Sequence, residues 1–329
     1  MLRKAVNSST SSSKMRNIFR IAFFFGFFFA VDRFLGWGLE SLFFKIEVGD
    51  EGGYINNAIK NNYDIYIFGS SRAHNHFDPS VIRGILKMSS FNVARAGSSL
   101  AFADVLSSIL LETKKDYPEY LILEVSEDDL MHDKEKERLN SVRFLMPYLD
   151  KSQYLYDQMI LYGGIGQRIK LFSKAYRYNS KLMPIIMNSI VTPSQDGLDS
   201  MGFLPLEGLV KDFQFSFSIE YAFPSFSSEM EDHLRLFIRR TLARKIKCII
   251  VSSPKLFRSQ GEMLRWELST KKIREIVEKE KAIYFEYSLT HKDLFQNPQL
   301  YRDFGHLNRE GAKLFSQLFS EDLKASFEK

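Results

Sequence analysis

The sequence predicts an α/β protein: a three-layer α/β/α sandwich around a central parallel sheet, with a helical insert and one N-terminal transmembrane helix. Three observations lead there. Short apolar, β-rich runs at 64–68, 91–94 and 120–125 alternate with helical stretches near 81–88 and 101–115, a rhythm that builds parallel strands joined by crossover helices. The rhythm stops at 130–226, then resumes with a helix at 229–245, a strand at 248–252, a helix at 263–280 and a strand at 283–286. A basic, Ser-rich start precedes the apolar run 21–31, which is the form of a signal anchor.

The amino terminus divides into a basic tail, 1–16, and an anchor, 17–37. The uninterrupted apolar run is only 11 residues, short of the roughly 20 that a spanning helix needs. The full stretch 17–37 suffices if Arg20 and Arg33 snorkel and Trp37 anchors the far interface. Ala30-Val31-Asp32 is a poor cleavage site, so an uncleaved anchor is expected, a cleaved signal being the alternative. With either, the positive-inside rule puts the body outside the cytoplasm.

Charge supports this division. Residues 1–20 hold Arg3, Lys4, Lys14, Arg16 and Arg20 and no acid; less these five, the 45 basic residues match the 40 acidic ones. The basic balance belongs to the tail, which argues against a nucleic-acid partner for the body. The single cysteine, Cys248, excludes an internal disulfide and leaves the compartment open.

Residues 38–62 read as a linker, and 63–329 as one domain interrupted by the insert 130–226. At 329 residues there is chain enough for a sizeable core. The insert is rich in Tyr, Phe and Met, with helices expected at 152–161 and 167–178; its aromatics read as core, and its role is not legible.

Chemistry concentrates at two places. After the first strand, Gly69-Ser70-Ser71-Arg72 breaks the apolar pattern, and a helix starts near Pro79. A hydroxyl pair there sits at the carboxyl edge of the sheet, where open α/β folds place their sites. In the last loop, Asp303-x-x-His306 precedes the final helix. That spacing lets the Asp303 carboxylate accept from the imidazole, fixing its tautomer and freeing the other nitrogen as a base for a hydroxyl such as Ser71. Taken singly, the first motif is a polar loop and the second a surface loop with Asn308 capping a helix.

Together and in this order, Gly69-Ser70-Ser71, Gly97 after the second strand and Asp303-x-x-His306-Leu307-Asn308 resemble the SGNH (GDSL-type) hydrolase superfamily, whose fold is flavodoxin-like. The run Gly-Ser-Ser-Arg-Ala-His-Asn-His-Phe-Asp-Pro at 69–79 further resembles a membrane-anchored bacterial branch. Relatives in that wider branch include the D-alanyl-transfer protein of teichoic acids and the accessory O-acetyltransferases of alginate assembly. The resemblance spans 64–125 and 248–320 and leaves out the insert. It implies Ser71 as nucleophile, His306 as base, Asp303 as its orienting partner, and the N–H groups of Ser71 and Gly97 as oxyanion donors. Ser70 stands where the family has an Asp. No cofactor and no metal are implied.

The third block departs from the family's Gly-x-Asn-Asp. Here the aligned residues are Ser126-Glu127-Asp128-Asp129, and an ionised Asp128 accepts but cannot donate. Either Arg72, Arg95 or Asn75 replaces the missing donor, or Asp128 is held protonated, or catalysis is lost. A rival metal reading uses His74-x-His76-x-Asp78, but Pro79 follows where a further His is wanted. His74 and His76 are instead expected to line the mouth of the Ser71 pocket.

The reading that follows is an O-acyltransferase or esterase acting through a Ser acyl-enzyme on a cell-envelope polysaccharide or similar polymer. The expected place is the bacterial cytoplasmic membrane, single-pass, with the body extracytoplasmic. Its partners are the bilayer, the glycan and, by resemblance, a membrane-bound O-acyltransferase. The alternative is a catalytically inactive scaffold subunit of an envelope acyl-modification complex.

Overall fold

The sheet begins at β1 (Ile65–Phe68), which pairs in parallel with β2 (Ser90–Asn92) on one side and β3 (Tyr120–Glu124) on the other. Strands β4 (Lys247–Ser252) and β5 (Ile283–Glu286) extend it, giving a five-stranded parallel sheet of order 2-1-3-4-5 among the described residues. This is the doubly wound order, with its switch point between β1 and β3. The computed structural model describes residues 9–49, 51–131, 141–190 and 201–327.

The strands are apolar on both sides because both sides are covered. Tyr66, Phe68, Leu121, Leu123, Cys248 and Ile250 point into one core with residues of α5 (Leu100–Thr113), α8 (Ser228–Leu242) and α9 (Gln260–Lys279). Ile65, Ile67, Ile122, Ile249 and Val251 point into the other, against α4 (Pro79–Leu86), the short α10 (Lys292–Phe295) and the last helix, α11 (Arg309–Phe327). The period-2 alternation of strand side chains thus divides one chain into two cores.

Helix α1 runs Ser9–Phe43. The expected transmembrane helix at 17–37 is corrected: among the described residues no helix is long and apolar enough to cross a membrane. The physical reason lies in Asp32 and Arg33, which interrupt the apolar run and dock on the insert. Asp32 accepts from the N–H groups of Lys174 (2.9 Å) and Ala175 (3.2 Å), and Arg33 donates to the Phe172 carbonyl at 2.7 Å. Beyond them, Glu40 pairs with Lys174 at 2.8 Å.

The stretch read as linker, 38–62, holds the end of α1 and helix α2 (Gly53–Lys60). Tyr54, Ile55 and Ala58 of α2 are buried in the first core, and the Asn56 amide donates to the carbonyls of Phe43 and Ile46, closing the end of α1.

The insert leaves and rejoins the body at one point, where Met131 bridges Phe226 antiparallel and the Ser227 N–H donates to the Leu130 carbonyl at 2.7 Å. It carries a 3₁₀ turn (Met146–Lys151), helix α6 (Gln153–Phe172), a second 3₁₀ turn (Ala175–Lys181) and α7 (Leu182–Ile190). The two expected helices are both present, run together in α6 and parted by a break at Gly164, whose φ of 62° only glycine adopts easily; the second ends at Phe172 rather than at 178.

Candidate active site

Ser71 opens the short helix α3 (Ser71–His76) directly after β1. At the first helical position, at the carboxyl edge of the sheet, its N–H has no intrahelical acceptor. Gly69 makes the turn possible. Its φ is 143°, and a Cβ there would come within 2.6 Å of Ala73 and 3.1 Å of Glu124. No other residue fits.

His306 arrives from the far end of the chain. Tyr301 and Leu307 bridge antiparallel, and the loop between them carries Asp303 and His306. The Asp303 carboxylate accepts from the N–H groups of Gly305 (2.8 Å) and His306 (2.9 Å), which fixes its position. His306 Nδ1 lies 2.9 and 3.0 Å from the two Asp303 oxygens, and Nε2 lies 2.8 Å from Ser71 Oγ. Since Asp303 can only accept, Nδ1 carries the proton and Nε2 faces the Ser71 hydroxyl as acceptor. Asn308 ends the loop by capping α11, its Oδ1 accepting from Gly311 N–H at 3.0 Å.

Gly97, in the loop after β2, is exposed with φ 70°, and nothing crowds the position of an added Cβ. The neighbouring Ser98 hydroxyl donates to the Gly69 carbonyl at 3.1 Å, tying this loop to the Ser71 turn.

A second set of polar groups lies beneath. Arg72, beside the nucleophile, turns inward: Nε is 3.2 Å from Glu124 Oε1, and Nη2 donates to the carbonyls of Ser253 and Pro254. Ser253 Oγ donates to Glu124 Oε1 at 2.9 Å and meets His76 Nδ1 at 2.9 Å. His76 Nε2 accepts from the Leu307 N–H at 3.0 Å, the residue after the base. Its proton is therefore on Nδ1. Burial holds the imidazole well below its ordinary pKa, with the charges of Arg72 and His306 adding to the effect. Burial also raises the Glu124 carboxyl from 4.5 to about 7, Arg72 opposing.

Several sequence expectations are corrected. Arg72 and Asn75, offered as replacement donors, and His74, expected at the pocket mouth, are buried, at 7, 4 and 0 % exposure. The cause is the returning arm of the insert. Leu204 N–H donates to the His74 carbonyl at 3.1 Å, and the Asn75 amide donates to the Leu204 carbonyl at 2.8 Å. The same arm then reaches the base loop, where Arg309 N–H donates to the Leu206 carbonyl and Val210 N–H to the Tyr301 carbonyl, both at 2.8 Å. His76, expected at the pocket mouth, is likewise fully buried.

Asp128 is not brought to Ser71 as a donor. Its carboxylate pairs with Arg265 of α9 at 2.7 Å, and its side chain is 70 % exposed. The rival metal triplet does not converge either: Asp78 caps α4 by accepting from Ser80 N–H at 2.8 Å while His76 holds Ser253. Among the described residues no cluster of three or more His, Cys, Asp or Glu could hold a metal ion. Sequence reasoning missed Ser253 and the pairing of Glu124 with Arg72. The available signal was a charged residue ending one buried parallel strand and a Ser pair ending the next.

Hydroxyl, imidazole and carboxylate thus stand in one hydrogen-bonded line at the carboxyl edge of a doubly wound sheet, which is the constellation of an activated serine nucleophile. No family model and no curated protein matches the chain. Solved structures similar to it include a protein assigned to the G-D-S-L lipolytic family from Desulfitobacterium hafniense, at 8% identity and TM-score 0.41, covering 79% of this chain and 99% of that one. An acetylxylan esterase from Geobacillus stearothermophilus gives 8% and 0.40, covering 80% and 94%. A carbohydrate acetylesterase from Sinorhizobium meliloti gives 10% and 0.37, covering 81% and 100%. Likenesses this distant carry no argument about chemistry; that rests on the geometry above.

Proposed function

We propose that the chain is a serine esterase or O-acyltransferase of SGNH type, working through an acyl-enzyme on Ser71. The observation that carries this is the 2.8 Å contact between His306 Nε2 and Ser71 Oγ, with Asp303 on the other ring nitrogen. His306 takes the hydroxyl proton as Oγ attacks an ester carbonyl, and the carbonyl electron pair moves onto oxygen. The N–H groups of Ser71 and Gly97 face that oxyanion. Collapse expels the alcohol, which leaves with the proton from His306. Water or a second hydroxyl then gives its proton to His306 and takes the acyl group, restoring Ser71.

The substrate we propose is an acylated polysaccharide or similar polymer of the cell envelope, and the place a membrane surface. Supporting that place, Phe19, Phe23 and Phe25 of α1 are 70, 77 and 66 % exposed, next to Lys14, Arg16 and Arg20. An exposed apolar helix flanked by basic residues suits the interface of an anionic bilayer. A second reading, an inactive scaffold subunit, draws on Asp128, which leaves the site without the usual side-chain oxyanion donor. Labelling by a fluorophosphonate separates the two. The wild type should be labelled and Ser71→Ala should not; an unlabelled, folded wild type favours the scaffold.

A further inference from the structure

Between the insert and the β2 loop lies a concavity with a volume of about 360 Å³. Its lining includes Arg95, Arg143, Lys170 and Lys181 against one carboxylate, Glu51. Glu51 is already engaged, at 2.6 Å from Lys181 Nζ. Arg95 and Lys181 stand on the same ring, that of Phe144, at 4.0 and 3.4 Å from its centroid. The ring holds two cations in place, but its quadrupole offsets less than a carboxylate would. The Nε groups of Arg95 and Arg143 are buried and have no hydrogen-bond partner among the described residues.

Buried donors without acceptors are costly, and a guanidinium fork is shaped for a planar or tetrahedral oxyanion. The pocket shares Arg95 with the loop that meets the Ser71 turn. Arg95 N–H donates to the Gly69 carbonyl at 3.2 Å, two residues before Ser71, and Gly97 is two residues after Arg95. From Gly69 to Ser71 the chain covers no more than about 8 Å.

We infer that this pocket binds an anionic substituent, a carboxylate or a phosphate, on the polymer whose ester is presented to Ser71. This rests on the acyl-transfer reading above and adds the charge of its substrate. The anionic group would sit among Arg95, Arg143 and Lys170.

The test reads binding and turnover separately. Binding of three oligomers to full-length Ser71→Ala protein is measured by calorimetry: a galacturonate trimer, a glycerol-phosphate trimer and a neutral galactose trimer. We expect at least one anionic oligomer to bind about tenfold or more tighter than the neutral one, and the stronger of the two identifies the group. Arg143→Gln and Lys170→Gln should each cut that advantage about tenfold, as loss of a charged hydrogen bond does. Lys170 is exposed, so its variant keeps the fold if Arg143→Gln does not. Equal affinity for all three oligomers, no binding of any, or a preference that survives both substitutions would overturn the inference. Wild-type turnover of p-nitrophenyl acetate is followed alongside. Turnover without anion preference defeats the pocket alone, and anion preference without turnover defeats the acyl-transfer reading alone.

Discussion

Two clusters of the same residue types lie within one side chain of each other and do different work. Ser71, His306 and Asp303 line up at the surface, with the Asp303 side chain 52 % exposed. Ser253, His76 and Glu124 line up beneath, all at 7 % exposure or less, with Arg72 closing the set. In the upper cluster the free nitrogen of the histidine faces a hydroxyl that substrate can reach. In the lower one both ring nitrogens are committed, one to Ser253 and one to the Leu307 backbone. The difference teaches that a Ser–His–acid set is a catalyst or a brace according to what occupies the second imidazole nitrogen. The lower cluster braces the upper, since the bond from Leu307 to His76 anchors the loop that carries His306.

The comparison can be broken first at the upper cluster. His306→Ala should lower kcat for p-nitrophenyl acetate by about 10⁴-fold or more, because the unaided hydroxyl is a poor nucleophile. A loss under tenfold in folded protein would remove His306 from the reaction. The lower cluster should respond in stability. Arg72→Met leaves Glu124 buried without its cation, and should cost about 3–5 kcal/mol in urea unfolding above about pH 7, where the wild-type carboxyl is ionised. A cost below about 1 kcal/mol would mean that the brace is not one.

Smaller effects sharpen the account. Glu124 has its pKa raised from 4.5 to about 7 by burial, so the folded state holds a proton that the unfolded chain has released. Its contribution to stability is full below about pH 4.5 and is lost as the pH rises to about 7. The urea midpoint of the wild type should therefore fall over that window, and Glu124→Gln should flatten the fall; equal slopes would contradict this. Asp128→Asn should change turnover by less than about twofold, since exposed side chains away from a site rarely matter more. A large rise would bring Asp128 back to the oxyanion.

Much of the upper cluster was legible in sequence because its parts are local. Gly69-Ser70-Ser71 follows a strand, and Asp303 and His306 are three apart, so chemistry and spacing coincide. The strand–helix rhythm likewise carried the sheet. The lower cluster was not legible. Arg72, Glu124 and Ser253 are separated by 52 and 129 positions, and only the sheet order brings β3 and β4 together under α3. Nor could the fate of His74 and Asn75 be read, because the arm that covers them comes from the insert. The anchor was misjudged for a related reason. Asp32 and Arg33 read as lying inside a span, with Arg33 snorkelling, but they hydrogen-bond backbone groups of Phe172, Lys174 and Ala175.

The central claim is that the exposed serine reacts and the buried one does not. Fluorophosphonate labelling of the full chain, followed by peptide mass spectrometry, tests it most directly. The account predicts a single adduct on the peptide containing Ser71, absent in Ser71→Ala and retained in Ser70→Ala at reduced yield. An adduct on Ser70 or Ser253, or labelling that persists in Ser71→Ala, would contradict it.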